Sequence, residues 1–254
     1  MPRNKDFETR SQSKSEMKDA IKTYNGNKSK AKTSLRKEDI DRSGIELTPK
    51  QQELYKMIRN GTIAAVQGPA GTAKTFVACY TALCLLAEKK IQRIIITKPI
   101  VESGENLGFL PGNIEEKTAP FMRSYISNFE KIIGKENTEF LKSTGEICVE
   151  TLAYMRGVTY DDAIILLDEA QNTTMKQLLL WVTRLGKNSK AILMGDISQY
   201  DIRTQDSKFL EFIEMIESVD GVSSFKFNTE DIVRHKILIE IVNRYEQLKK
   251  EGKF

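Results

Sequence analysis

Lys74 and Thr75 close a run of small residues, "VQGPAGTAKTF" (66–76). Gly68, Lys74 and Thr75 fit the phosphate-loop pattern G-x-x-x-x-G-K-[ST], and Ala73 stands where its second glycine belongs. In such a loop the backbone N–H groups from Gly71 to Thr75 point at a β-phosphate, and the helix that opens there adds favourable partial charge. The lysine reaches the β- and γ-phosphates, and the threonine hydroxyl ligates Mg²⁺. The candidate nucleotide-binding segment is therefore Gly68, Pro69, Ala70, Gly71, Thr72, Ala73, Lys74 and Thr75. Ala73 is expected at the helix start with ordinary right-handed angles, which leaves its methyl group as the only departure.

A phosphate loop needs a carboxylate for the metal and, for hydrolysis, a base. "AIILLDEAQN" (163–172) supplies both. Four or more apolar residues lead to Asp168, which puts it at the C-terminal tip of a buried strand, the edge where α/β sheets bind ligands. Asp168 is the candidate Mg²⁺ residue, and Glu169 the candidate base that orients and polarises a water. A small-molecule kinase has no need of the second carboxylate, so the pair favours an ATPase. In "AILMGDISQYD" (191–201) a further strand ends at Asp196, and Gln199 is placed to sense the γ-phosphate. Gln51, 17 residues before Gly68, either reads adenine with its amide donor and acceptor or is a surface helix residue.

These residues need strands and helices to hold them. Strand-like patterns predict strands at 62–67, 93–98, 146–150, 163–168, 190–195 and 222–227, several of them near-continuous apolar runs, as in a parallel sheet buried on both faces. Between them lie helical stretches at 49–60, 74–90, 115–134, 174–186, 207–219 and 235–250. Ile237, Leu238, Ile241, Val242, Tyr245 and Leu248 form an apolar stripe on the last. The alternation predicts an α/β fold with a mainly parallel sheet flanked by helices.

Residues 1–44 differ in character. Residues 1–45 hold 12 Lys/Arg and 7 Asp/Glu, a net of +5 against +4 for the whole chain, so the remainder sums to −1. Apart from one short helical pattern, "KSEMKDAIKTY", the segment is too polar to offset its ordering entropy. It reads either as a solvated, disordered tail or as a basic arm that gathers nucleic acid. Residues 45–254 form the expected domain. Three cysteines without metal-ligand spacing and one histidine, His235, exclude a multi-histidine metal centre. The absence of an apolar N-terminal run or a membrane-length segment predicts a cytoplasmic protein with no membrane partner.

Taken together, "GPAGTAKT", "KPIVESGENLGFLPGNIEEK", "LAYMRGVTYDDAIILLDEAQNTT", "WVTRLG", "GDISQYD" and "DIVRH" resemble the PhoH family of P-loop ATPases, related to superfamily-one helicases. The resemblance implies a RecA-like core, ATP hydrolysis with Mg²⁺, assembly into a hexameric homo-oligomeric ring and action on single-stranded RNA or DNA. It places Arg234 near the γ-phosphate, with Arg156 and Arg184 as competing arginines for a finger reaching a neighbour's site. Lys98 replaces the family's usual arginine and, with Val158 and Thr159, is expected on the nucleic-acid face. Residues 98–112, with Gly104, Gly108, Gly112 and Phe109, are either a strand grip or an interface loop. Trp181 is expected to pack rather than bind a base. The short single-domain form suggests a phage source. One lobe alone implies that a neighbour closes the site, and the competing reading is a nucleotide-switched assembly protein with slow hydrolysis.

Overall fold

Six strands form one parallel sheet, and its four inner ones are mostly apolar runs. They are β1 (Ile63–Gln67), β2 (Arg93–Lys98), β3 (Ile147–Thr151), β4 (Ala163–Leu167), β5 (Lys190–Gly195) and β6 (Val222–Lys226). The order is β3-β2-β4-β5-β1-β6, and every pairing is parallel. The computed structural model describes residues 34–99, 114–199, 202, 205–233 and 236–251. All five residues of β4 are buried, the pattern expected of a strand covered on both faces. The α/β class read from the sequence is the class observed.

The two-residue period of a strand divides the core. Val66, Ile94, Ile96, Leu166, Ile192 and Met194 face one layer of helices. That layer holds α1 (Lys37–Asp41), α2 (Pro49–Asn60), α3 (Lys74–Ala87), α4 (Ile114–Ile133) and α5 (Lys135–Ser143). Ala65, Ile95, Ile165, Leu167 and Leu193 face the other layer. There α6 (Met175–Val182) brings Leu178 and Trp181, and α7 (Phe209–Ile216) brings Phe209 and Phe212. Trp181 is fully buried, so it packs as expected. The last helix, α8 (Lys236–Lys250), leaves Ile237, Ile241 and Tyr245 exposed.

Local chemistry sets the helix starts. Thr48 caps α2 by accepting the Gln51 N–H, and Pro49 follows at the first helical position, where its missing N–H costs nothing. Thr174 caps α6 in the same way through Gln177. Gly134, at φ 80°, separates α4 from α5.

Two expectations need correction. The tail was placed at 1–44, yet α1 lies within it, and Leu35 and Ile40 are buried in the core with α3 and α4 residues. Two apolar residues in an otherwise charged decapeptide give no period to read, but they suffice to dock one helical turn. Helix α5 also escaped the sequence reading, because "KENTEFLKS" carries only two large apolar residues. The short helix expected at 14–24, the rest of the tail, and the segment 100–113 with its glycines and Phe109 lie outside the described residues.

Candidate nucleotide-binding site

The phosphate loop leaves β1 at its C-terminal end and enters α3 at Lys74. Gly68 is required there by space: a β-carbon would stand 2.6 Å from the Phe227 β-carbon. The loop is anchored on both sides. Gly68 N–H donates to the Gly195 carbonyl at 3.2 Å, and Val233 N–H donates to the Gly71 carbonyl at 3.0 Å. Ala70 N–H donates to Asp196 Oδ2 at 2.8 Å. Lys74 Nζ folds onto its own loop, donating to the carbonyls of Gly68 at 2.5 Å and Pro69 at 3.0 Å.

Ala73 does not take the expected right-handed angles. It sits at φ 67°, ψ 28°, in the left-handed region, as the cap of α3. That explains physically why the pattern asks for glycine: the constraint is backbone conformation. A β-carbon in this region costs about 1–2 kcal/mol, while glycine loses about 0.5–1 kcal/mol more chain entropy on folding. Ala73→Gly is therefore expected to gain about 0.5–1 kcal/mol, a rise of roughly 2 °C in Tm by calorimetry, with nucleotide affinity kept or improved. A fall in Tm would show that the methyl makes a contact worth more than the strain.

Beside the loop stands the tip of β4. Thr75 Oγ1 donates to Asp168 Oδ2 at 3.0 Å. Burial, and then the neighbouring charge of Glu169, push the Asp168 carboxyl above its ordinary value, against the pull of Lys98 and the Thr75 hydrogen bond. A cation beside such a buried carboxylate favours its charged form. Hydroxyl and carboxylate oxygens suit Mg²⁺, which takes one or two carboxylates and completes its shell with phosphate oxygens and water. Among the described residues no group of three His, Cys, Asp or Glu could hold a metal without such help.

Glu169 follows at φ 54°, ψ 38°, a second left-handed non-glycine residue. Its N–H donates to Asp168 Oδ1 at 3.1 Å. Its carboxylate lies between Lys98 Nζ, 3.6 Å away, and Gln171 Nε2, which donates at 2.8 Å. Lys98 thus faces the acidic pair and lines the cavity. Gln171 is buried, and its Oε1 accepts the Asp196 N–H at 3.0 Å. Sequence reasoning missed Gln171 and the clamp role of Asp196. The only signal was the position of Gln171, two residues past Glu169 and aimed back at it by the intervening turn.

A cavity of about 780 Å³ joins these parts. Gln51, Ala70, Gly71, Ala73, Lys74, Thr75, Lys98, Asp168, Glu169 and Gln199 line it, together with Ser124, Ser127, Asn128 and Lys131 of α4. Gln199 is exposed at its rim. Gln51 is buried, not a surface residue, and its Oε1 accepts the Thr48 N–H at 3.1 Å, so the cap already uses the acceptor assigned to adenine. Arg184 spends its guanidinium on carbonyls of its own chain, at Leu180 and Val158, and neither it nor Arg156 lines the cavity. Arg234 and His235 lie outside the described residues. Cys79, Cys84 and Cys148 are free thiols, and burial pushes each of them up.

The sequence model described as "PhoH: PhoH-like protein" matches residues 45–246. The chain belongs to the PhoH-like protein family. A PhoH-like protein of Bacillus subtilis (strain 168) is 37% identical over 235 residues, which cover 90% of this chain and 73% of that relative. One from Mycobacterium tuberculosis (strain H37Rv) is 39% identical over 231 residues, 89% of this chain and 65% of its own. Among solved structures, the Hef helicase domain of Pyrococcus furiosus matches with a TM-score of 0.49 and 16% identity, covering 79% of this chain and 41% of its own. No helix among the described residues is long and apolar enough to cross a membrane.

Proposed function

We propose that this PhoH-like protein binds ATP with Mg²⁺ in the cavity and hydrolyses it, as a homo-oligomeric motor or remodeller on single-stranded RNA or DNA. One observation carries the reading: a phosphate loop, a hydroxyl–carboxylate pair and a second carboxylate converge on one end of one cavity. Loop N–H groups receive the β-phosphate, and Lys74 turns from the Gly68 and Pro69 carbonyls to the β- and γ-oxygens. Thr75 and Asp168 would hold a Mg²⁺, which would supply charge to offset that of the phosphates. Glu169 orients a water whose oxygen attacks the γ-phosphorus. The bond to the ADP oxygen breaks, and Glu169 accepts the water proton.

The single sheet supports a ring in this reading. The cavity opens at the C-terminal ends of β1, β4 and β5, and a neighbouring copy in a hexamer would close it and could lend Arg234. Gln199, at the rim, would report the state of the γ-phosphate. Cytoplasmic location belongs to the same proposal. The near-neutral charge of residues 46–254 favours a second reading, a nucleotide-switched assembly protein that hydrolyses slowly. ATP turnover measured against a panel of RNA and DNA strands, with native mass taken with and without ATP, separates the two. The motor reading expects at least several-fold stimulation by one class of strand and a larger mass with nucleotide. Hydrolysis that ignores every strand leaves the switch, and no hydrolysis at all overturns both.

A further inference from the structure

Helix α4 has two faces over its second half. Met122, Tyr125, Phe129 and Ile132 are buried against the core. Ser124, Ser127, Asn128 and Lys131 repeat at i, i+3, i+4 and i+7, which puts them on one opposite stripe. A polar outer face is usual for a surface helix. This one differs because all four side chains line the cavity that holds the phosphate loop. Among the described residues, none of the four side chains spends a polar atom on a partner within the chain.

The stripe runs along the cavity wall from Ser124 to Lys131. At 1.5 Å per residue, Lys131 stands about 10 Å further along. A triphosphate fixed at Lys74 and Thr75 must extend its sugar and base through the remainder of the cavity, between α4 and the wall made by Ile45, Glu46 and Thr48.

Resting on the nucleotide reading above, we propose that α4 recognises the nucleoside end of the ligand, Asn128 holding the ribose hydroxyls and Lys131 the acceptor edge of the base. A carboxamide offers both a donor and an acceptor, as a sugar hydroxyl requires, whereas an ammonium group only donates. Ser127, one turn before Lys131, adds a second hydroxyl at the sugar. Sequence spacing alone does not reveal this wall, since α4 lies far from the phosphate-loop and DE segments in the chain.

The test compares two ligands on the intact protein: ATP and inorganic tripolyphosphate, each titrated by calorimetry against wild type, Asn128→Ala and Lys131→Ala. These side chains are exposed or half-buried, so the variants are expected to melt with the wild type. The expected result is ATP affinity weakened roughly five- to ten-fold in each variant, with tripolyphosphate binding unchanged. ATP affinity equal to wild type in both variants overturns the assignment, and so does an equal loss for both ligands, which would place the stripe at the phosphates. If wild type binds neither ligand, the nucleotide reading itself falls and takes this inference with it.

Discussion

Glu169→Gln is expected to lower ATP turnover by about two to three orders of magnitude while ATP binding stays within a few-fold of wild type. The substitution keeps the shape of the side chain and an oxygen that Gln171 Nε2 can still reach across the 2.8 Å now spanned. What it removes is the capacity to accept the water's proton. The site invests in that carboxylate. Glu169 is held in left-handed backbone, at a cost of order 1–3 kcal/mol. Its two oxygens are fixed from opposite sides by Lys98 and Gln171. Strain and a double hold on one side chain make sense where small errors in direction cost rate. Single-turnover hydrolysis and equilibrium binding of ATP, measured on the same preparation, check both halves. Turnover equal to wild type would remove Glu169 from the chemistry and leave the switch reading standing.

The four inner strands were legible because strands buried on both faces must be largely apolar, and all six strands, the polar edge strands β3 and β6 included, formed within a residue or two of their expected bounds. The phosphate loop and the DE pair were legible because their chemistry is local in sequence: Lys74 and Thr75 are adjacent, as are Asp168 and Glu169. Their convergence was inferred from strand ends, and the Thr75–Asp168 hydrogen bond spans 93 residues of chain. Three features were not legible, each for a physical reason. The left-handed angles of Ala73 depend on how the loop closes against Gly195 and Val233, which no local propensity encodes. The docking of α1 depends on two side chains finding a core built by residues downstream. The reach of Asp196 to Ala70 crosses from one strand end to another, and an aspartate after a glycine gives no hint of its partner.

That last bond belongs to a chain of contacts with a consequence for catalysis. Ala70 N–H meets the Asp196 carboxylate, Asp196 N–H meets the Gln171 carbonyl oxygen, and the Gln171 amide meets Glu169. Under the proposed reading Gln171 is a positioning residue that acts through Glu169, and its two bonds tie Glu169 to the strand that clamps the phosphate loop. Two substitutions separate positioning from mere packing. Gln171→Leu fills the space but deletes both bonds, leaving the buried Asp196 N–H without its partner at a cost of about 1–3 kcal/mol. It is expected to lower kcat about ten-fold or more across the whole pH range and to change KM little. Gln171→Glu keeps the shape and sets a second carboxylate against Glu169, at the distance now spanned by a 2.8 Å hydrogen bond. Two carboxylates so close cannot both be charged without penalty, so the pair holds a proton to higher pH. The sign follows directly. A base that must be ionised loses activity below its own pKa, so raising that pKa moves the acid limb of the pH–rate profile upward, with activity recovering as pH rises. An upward move of that limb is expected for Gln171→Glu, and none for Gln171→Leu. If both variants lose stability equally and the acid limb stays in place, Gln171 supports the fold and has no hold on the base.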